Sequence, residues 1–144
     1  LVNAILDGIN VKKLLIEYWN ADLTQESFDA LLDLIVKHSV DQISLNVKRV
    51  TLSDPVAALL RLSTLVSAIN IYQRPASRHS SECSVFGISS AHWQNLIINM
   101  FSSKLTKLQI QNPGYTDNFP PSCVENLKAC MASLKKKIWF ECTH

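Results

Sequence analysis

The sequence predicts an α/β fold, a right-handed β-α arc with a parallel five-stranded sheet and its helices on one side. Three observations predict it. Short apolar pairs, two residues apart, recur five times at intervals near 30 residues. The stretches between them carry helical periodicity behind capping residues. The positions alternating with the apolar pairs are mostly polar, which leaves one sheet face without an apolar cover.

The pairs are Leu14-x-Ile16, Ile43-x-Leu45, Ile69-x-Ile71, Leu108-x-Ile110 and Ile138-x-Phe140. In an extended chain both members of a pair point to the same side. Val11, Val40, Val66 and Leu105 each stand three residues before a pair; Lys135 breaks that habit in the fifth. First members at 14, 43, 69, 108 and 138 give intervals of 29, 26, 39 and 30. Strands of an antiparallel sandwich come every ~8–12 residues, so the longer period indicates strand-plus-helix units. The longest interval contains the polar stretch Arg74 to Ser84 (RPASRHSSECS), read as a loop insertion.

Helices are expected between the strands. The first covers Gln25 to His38, with Thr24 as cap, Glu26 and Asp29 near the first turn, and Phe28, Leu31, Leu32, Leu34, Ile35 and Val36 as apolar positions. The second runs from Pro55 to about Leu65. Asp54 followed by Pro55 is a cap followed by proline at the first helical position. The third runs from Ala91 to about Ser102, with Ser90 as cap and Trp93, Leu96, Ile97, Met100 and Phe101 on one stripe. The fourth, Pro121 to about Lys135, has Val124, Leu127, Cys130, Met131 and Leu134 on its apolar face. Leu1 to Asn10 is read as the end of a preceding helix.

Consecutive β-α-β units make parallel strands with right-handed crossovers. A doubly wound sheet would bury both strand faces. Here the alternate positions include Lys13 and Glu17, Gln42, Ser44 and Asn46, Asn70 and Tyr72, Lys107, Gln109 and Gln111, Lys137 and Glu141. Burying so many polar groups without partners costs about 1–3 kcal/mol each. A one-sided layer of helices avoids that cost.

Composition narrows the function classes. The chain has 144 residues, 47% hydrophobic and 18% charged, which suits one globular domain spanning residues 1–144. The net charge of +2 gives no strong field for nucleic acid or an anionic membrane. Three glycines leave little from which to build a phosphate-binding loop. No apolar run approaches the ~20 residues of a membrane span, and no signal peptide is visible. The four cysteines, Cys83, Cys123, Cys130 and Cys142, are read as reduced, in a cytoplasmic or nuclear protein. Leu1 stands where Met would, and neither Leu1–Leu6 nor Ile138–Phe140 is polar. A piece of a longer protein is therefore expected, with neighbouring repeats or another copy against its ends.

The pattern L-x-x-L-x-L is filled by Val11, Leu14 and Ile16, with Leu23 later, and again by Leu105, Leu108 and Ile110. In this the chain resembles degenerate leucine-rich repeats. The repeat's usual Asn is poorly kept, since Asn112 is followed by Pro113. A closer resemblance is to the F-box-associated regions of nematode F-box proteins, the FTH and type-2 domains. It rests on the strand, loop and capped-helix cadence of KKLLIEYWNADLTQESFDALLDLI and on the Trp-containing helix before a strand in AHWQNLIINMFSSKLTKLQI. It is a likeness of cadence over nearly the whole chain. It implies a ligase adaptor that presents a degradation substrate to a cullin-type ubiquitin ligase, with the ligase core held by regions outside this chain.

The expected binding surface is the polar strand face. Aligned pair to pair, the strands place Glu17, Asn46, Tyr72, Gln111 and Glu141 in one row and Asn70, Gln109 and Trp139 in the next. Tyr72 and Trp139 are the expected anchors, while Trp19 reads equally as core filler. Metal binding is not expected: Cys123 and Cys130 are two helical turns, ~10 Å, apart, too far for one zinc with ~2.3 Å bonds, and Cys142-x-His144 stands alone. His79, Ser80, Ser81, Glu82 and Cys83 share a loop that nothing orients for catalysis. Lys135 to Lys137 read as helix-end lysines rather than a nucleic-acid patch. The expectation is thus a protein-binding module with no catalytic residues, metal or cofactor, contacting neither nucleic acid nor membrane. The alternatives are a small parallel α/β enzyme, with its site at the strand ends near Trp19, Lys48, Arg74, Asn112 and Thr143, and a structural repeat segment.

Overall fold

The computed structural model describes residues 14–73, 84–111, 125, 128–129, 132, 134 and 138–143. Within them the chain is a mixed α/β protein with a five-stranded parallel sheet and three helices. The elements are β1 (Leu15–Trp19), β2 (Asp22–Thr24), α1 (Gln25–His38), β3 (Gln42–Val47), β4 (Arg49–Thr51), α2 (Pro55–Leu65), β5 (Ala68–Gln73), β6 (Ser84–Val85), β7 (Ile88–Ser89), α3 (Ser90–Phe101), β8 (Lys107–Gln111) and β9 (Trp139–Thr143). The sheet order is β1-β3-β5-β8-β9, all parallel. The expected opening helix lies outside the described residues. So does most of the expected fourth helix, of which Glu125, Lys128 and Ala129 are helical.

Local chemistry explains the helix starts. The Thr24 hydroxyl accepts from the Ser27 N–H at 3.1 Å, and the Asp54 carboxylate accepts from the Ala57 N–H at 3.1 Å, with Pro55 in the first turn. Helix α1 ends on Ser39, whose left-handed backbone (φ 51°) lets its N–H donate back to the Ile35 carbonyl. Helix α3 begins at Ser90, one residue before the expected start.

The core lies against one face of the sheet. Ile43, Leu45 and Val47 of β3, Ile69 and Ile71 of β5, Leu108 and Ile110 of β8 and Phe140 of β9 are buried. They form one hydrophobic cluster with Phe28, Leu31 and Ile35 of α1, Leu59 and Leu62 of α2, and Trp93, Leu96, Ile97, Met100 and Phe101 of α3. Val40, Val66 and Leu105, the residues three before each central pair, belong to it too. Ser63 is the buried polar residue of α2, and its hydroxyl donates to the Leu60 carbonyl at 2.7 Å.

A backbone contact recurs at the entrance of each strand. The Leu14 carbonyl accepts from the N–H groups of Asp41 and Gln42, the Asp41 carbonyl from Ser67 and Ala68, and the Ser67 carbonyl from Thr106 and Lys107. The Thr106 carbonyl accepts from Trp139 at 2.8 Å. Side chains reinforce two junctions: at the second the Ser67 hydroxyl donates to the Asp41 carboxylate at 2.6 Å, and at the third Lys104 donates to the Leu65 carbonyl at 3.2 Å. Equivalent backbone positions at the strand entrances therefore bond to the strand before them.

Two smaller pairings were not expected from the sequence. Strands β2 and β4 pair in parallel, with Leu23 opposite Val50, and the Arg49 guanidinium lies 2.8 Å from the Asp22 carboxylate. Strands β6 and β7 form a hairpin over Phe86 and Gly87, which both have positive φ (59° and 71°), a combination that a tight two-residue turn requires. Phe86 is fully buried, and its N–H donates to the Gln73 side-chain carbonyl at 2.6 Å, tying the hairpin to the end of β5. The polar stretch read as a loop from Arg74 thus gives way to a strand at Ser84; residues 74–83 lie outside the described ones.

Register corrects the sequence alignment at both sheet edges. Ile16 pairs with Ile43, Ile43 with Ile69, Ile69 with Leu108, and Leu108 with Phe140. The three central strands align pair to pair as expected. In β1 the core-facing pair is Ile16-x-Tyr18, and Phe140 rather than Ile138 opens the pair of β9. Each edge strand is thus slid by two residues. A two-residue slide keeps every side chain on its own face, so apolar alternation cannot detect it. Tyr18 fits its place because its hydroxyl donates to the Asp22 carbonyl at 2.8 Å.

Candidate interaction surface

The face opposite the core carries the even-numbered members of β3 and β5 and the odd-numbered members of β1, β8 and β9. By register, one row across the sheet is Leu15, Gln42, Ala68, Lys107 and Trp139. The next is Glu17, Ser44, Asn70, Gln109 and Glu141. The third is Trp19, Asn46, Tyr72, Gln111 and Thr143. None of the described side chains among them belongs to the hydrophobic cluster.

All eight residues expected on the face are in strands there, but in different rows. Asn46, Tyr72 and Gln111 share a row as expected. Glu17 and Glu141 do not join them; they end the row of Asn70 and Gln109, about 19 Å apart at ~4.8 Å per strand. Trp139 moves one row further, beside Lys107, whose ammonium sits 4.8 Å from the centre of its ring. The edge slide described above causes all three moves.

The slide also brings in Trp19. It ends β1 in line with Asn46 and Tyr72 and is 70% exposed. The sequence signal that could have found it is its odd-numbered place beside Leu15 and Glu17 in an alternating strand. Trp139, on the opposite edge, is 43% exposed. Two large aromatics therefore stand at the margins of a polar field with Tyr72 between them. The field itself is not fully hydrogen-bonded. The side-chain carbonyls of Asn46 and Asn70 are sheltered from solvent yet have no hydrogen-bond partner. Between β1 and β8 the surface sinks into a shallow depression of about 180 Å³, with Ala68 and Ser44 among its lining residues.

The other candidate sites leave less to build on. Trp19, Lys48 and Thr143 lie at or just past C-terminal strand ends, while Arg74 and Asn112 lie outside the described residues. So do His79, Ser80, Ser81, Glu82, Cys83, Cys123, Cys130, Lys135, Lys136, Lys137 and His144. Among the described residues no three His, Cys, Asp or Glu side chains are grouped as metal ligands, and no helix is long and apolar enough to cross a membrane. No family model, curated protein or solved structure matches the chain.

Proposed function

We propose that this chain is a non-catalytic protein-binding module whose recognition surface is the polar face of the five-stranded sheet. The observation that carries the reading is the pair of exposed tryptophans, Trp19 and Trp139, flanking a field of amides and Tyr72 outside the core. Tryptophan and tyrosine supply much of the binding energy at protein interfaces because they bury large areas with few rotatable bonds. The amides of Asn46, Asn70, Gln109 and Gln111 supply the directional bonds that set register with a partner.

In this reading the described units form a leucine-rich-repeat-like arc, with helices on one side and strands open on the other. The junction bonds from Leu14, Asp41, Ser67 and Thr106 support that geometry. The resemblance to F-box-associated regions extends the proposal: the partner is a degradation substrate, the ligase core is held elsewhere in the protein, and the setting is cytoplasmic or nuclear.

Affinity capture from cell extract with the full protein tests the reading. Wild type is compared with Trp19→Ala/Tyr72→Ala/Trp139→Ala and with a helix-side control, Leu34→Ala/Val36→Ala. A stoichiometric protein partner kept by wild type and control but lost from the triple variant is the expected result, with cullin-ligase subunits retained by all three. Equal capture by the triple variant overturns the recognition surface. Substrate turnover that is lost in Lys48→Ala but kept in the triple variant would favour an enzyme at the strand ends.

A further inference from the structure

The depression on the sheet face sets the chemistry of what enters it. At about 180 Å³ it is smaller than the ~300–1,000 Å³ of typical small-molecule pockets. It is close to the ~150 Å³ that accommodates a benzene-sized group. The hole therefore suits one side chain of a larger partner. Its depth comes from small residues: Ala68 and Ser44 sit in adjacent strands, among the longer Leu15, Glu17, Gln42 and Gln109.

Charge and hydrogen bonding then narrow the choice. Two ionisable groups line the depression, Glu17 and Lys107. Lys107 leans toward β9, where its ammonium lies over the Trp139 ring. Glu17 is exposed and makes no ion pair among the described residues. The Asn70 side-chain carbonyl has no donor. Gln42, Ser44 and Gln109, which also line the depression, can donate or accept, so Glu17 is the charged group there that no other side chain engages among the described residues. Lysine and arginine side chains carry only donors at their tips and an apolar stem, which suits contact with Leu15 and Ala68.

We propose that the depression over Ala68 receives one lysine or arginine side chain of the protein partner, with Glu17 as its counter-charge. This rests on the sheet face being the recognition surface, and the experiment separates the two. Random dodecapeptides displayed on phage are selected on the full protein, and the selected peptides are titrated against Glu17→Gln, Ala68→Phe and Tyr72→Ala, each checked for fold by circular dichroism. The expected result is a shared basic residue whose change to glutamine weakens binding at least tenfold. Glu17→Gln produces a similar loss, and Ala68→Phe abolishes binding by filling the hole. Peptides that need Tyr72 but neither a basic residue nor Ala68 overturn the proposal while leaving the recognition surface standing. Peptides indifferent to all three variants, or a library that yields no binder, count against both.

Discussion

Trp93 and Trp19 are the same residue type in opposite surroundings. Trp93 is fully buried on the core side of α3, and Trp19 is 70% exposed at the end of β1. Trp93→Ala opens a cavity where the surrounding helices and strands are already close-packed, and should cost about 3–5 kcal/mol by urea denaturation. Trp19→Ala removes no such packing and should shift stability by less than about 0.5 kcal/mol, so any loss of binding it causes is a loss of contact rather than of fold. Ser39 is a residue whose backbone conformation suits another side chain. Its φ of 51° is the left-handed region where glycine has no Cβ clash. Ser39→Gly should therefore be neutral to stabilising, by up to about 1 kcal/mol in a thermal melt, whereas Asp54→Ala, which removes a cap, should destabilise by about 1 kcal/mol.

At the scale of elements, legibility followed the length of the signal. Helices α1 and α2 could be read to the residue because each has a side-chain cap and an apolar stripe that ends with it. The faces of the five sheet strands were equally readable, since alternation marks them. The register of β1 and β9 was not, because a slide of two residues leaves alternation unchanged. Strands β2 and β4 have three residues each, too few to show a period. The β6–β7 hairpin was hidden for a different reason. Its turn is Phe86-Gly87 rather than the Asn-Gly or Asp-Gly that usually announces two positive φ angles; burial of Phe86 compensates for its strained backbone. Gly87→Val places a β-branched side chain at φ 71° and should destabilise the protein by about 1–2 kcal/mol, with chemical-shift changes concentrated in β6, β7 and the end of β5.

At the scale of the molecule, the candidate site was legible as a face and not as an arrangement. Which residues look away from the core follows from local alternation; which of them are neighbours depends on pairing between strands 26 to 39 residues apart. Stability should follow the same geometry. Strand β5 is hydrogen-bonded on both sides and its core side chains are fully buried, while β1 pairs with β3 alone among the described strands and keeps Ile16 and Tyr18 half-buried. Amide hydrogen exchange should accordingly be slowest in β5, by roughly tenfold or more relative to β1, since edges open without global unfolding.

The proposed recognition face is tested most directly by hydroxyl-radical footprinting of the full protein, free and bound to its captured partner. Trp19, Tyr72 and Trp139 should be oxidised in the free protein and protected in the complex, with Trp93 unlabelled in both. Protection of Leu34 and Val36 on α1, with the three aromatics still oxidised, would move the interface to the helix side and contradict the account.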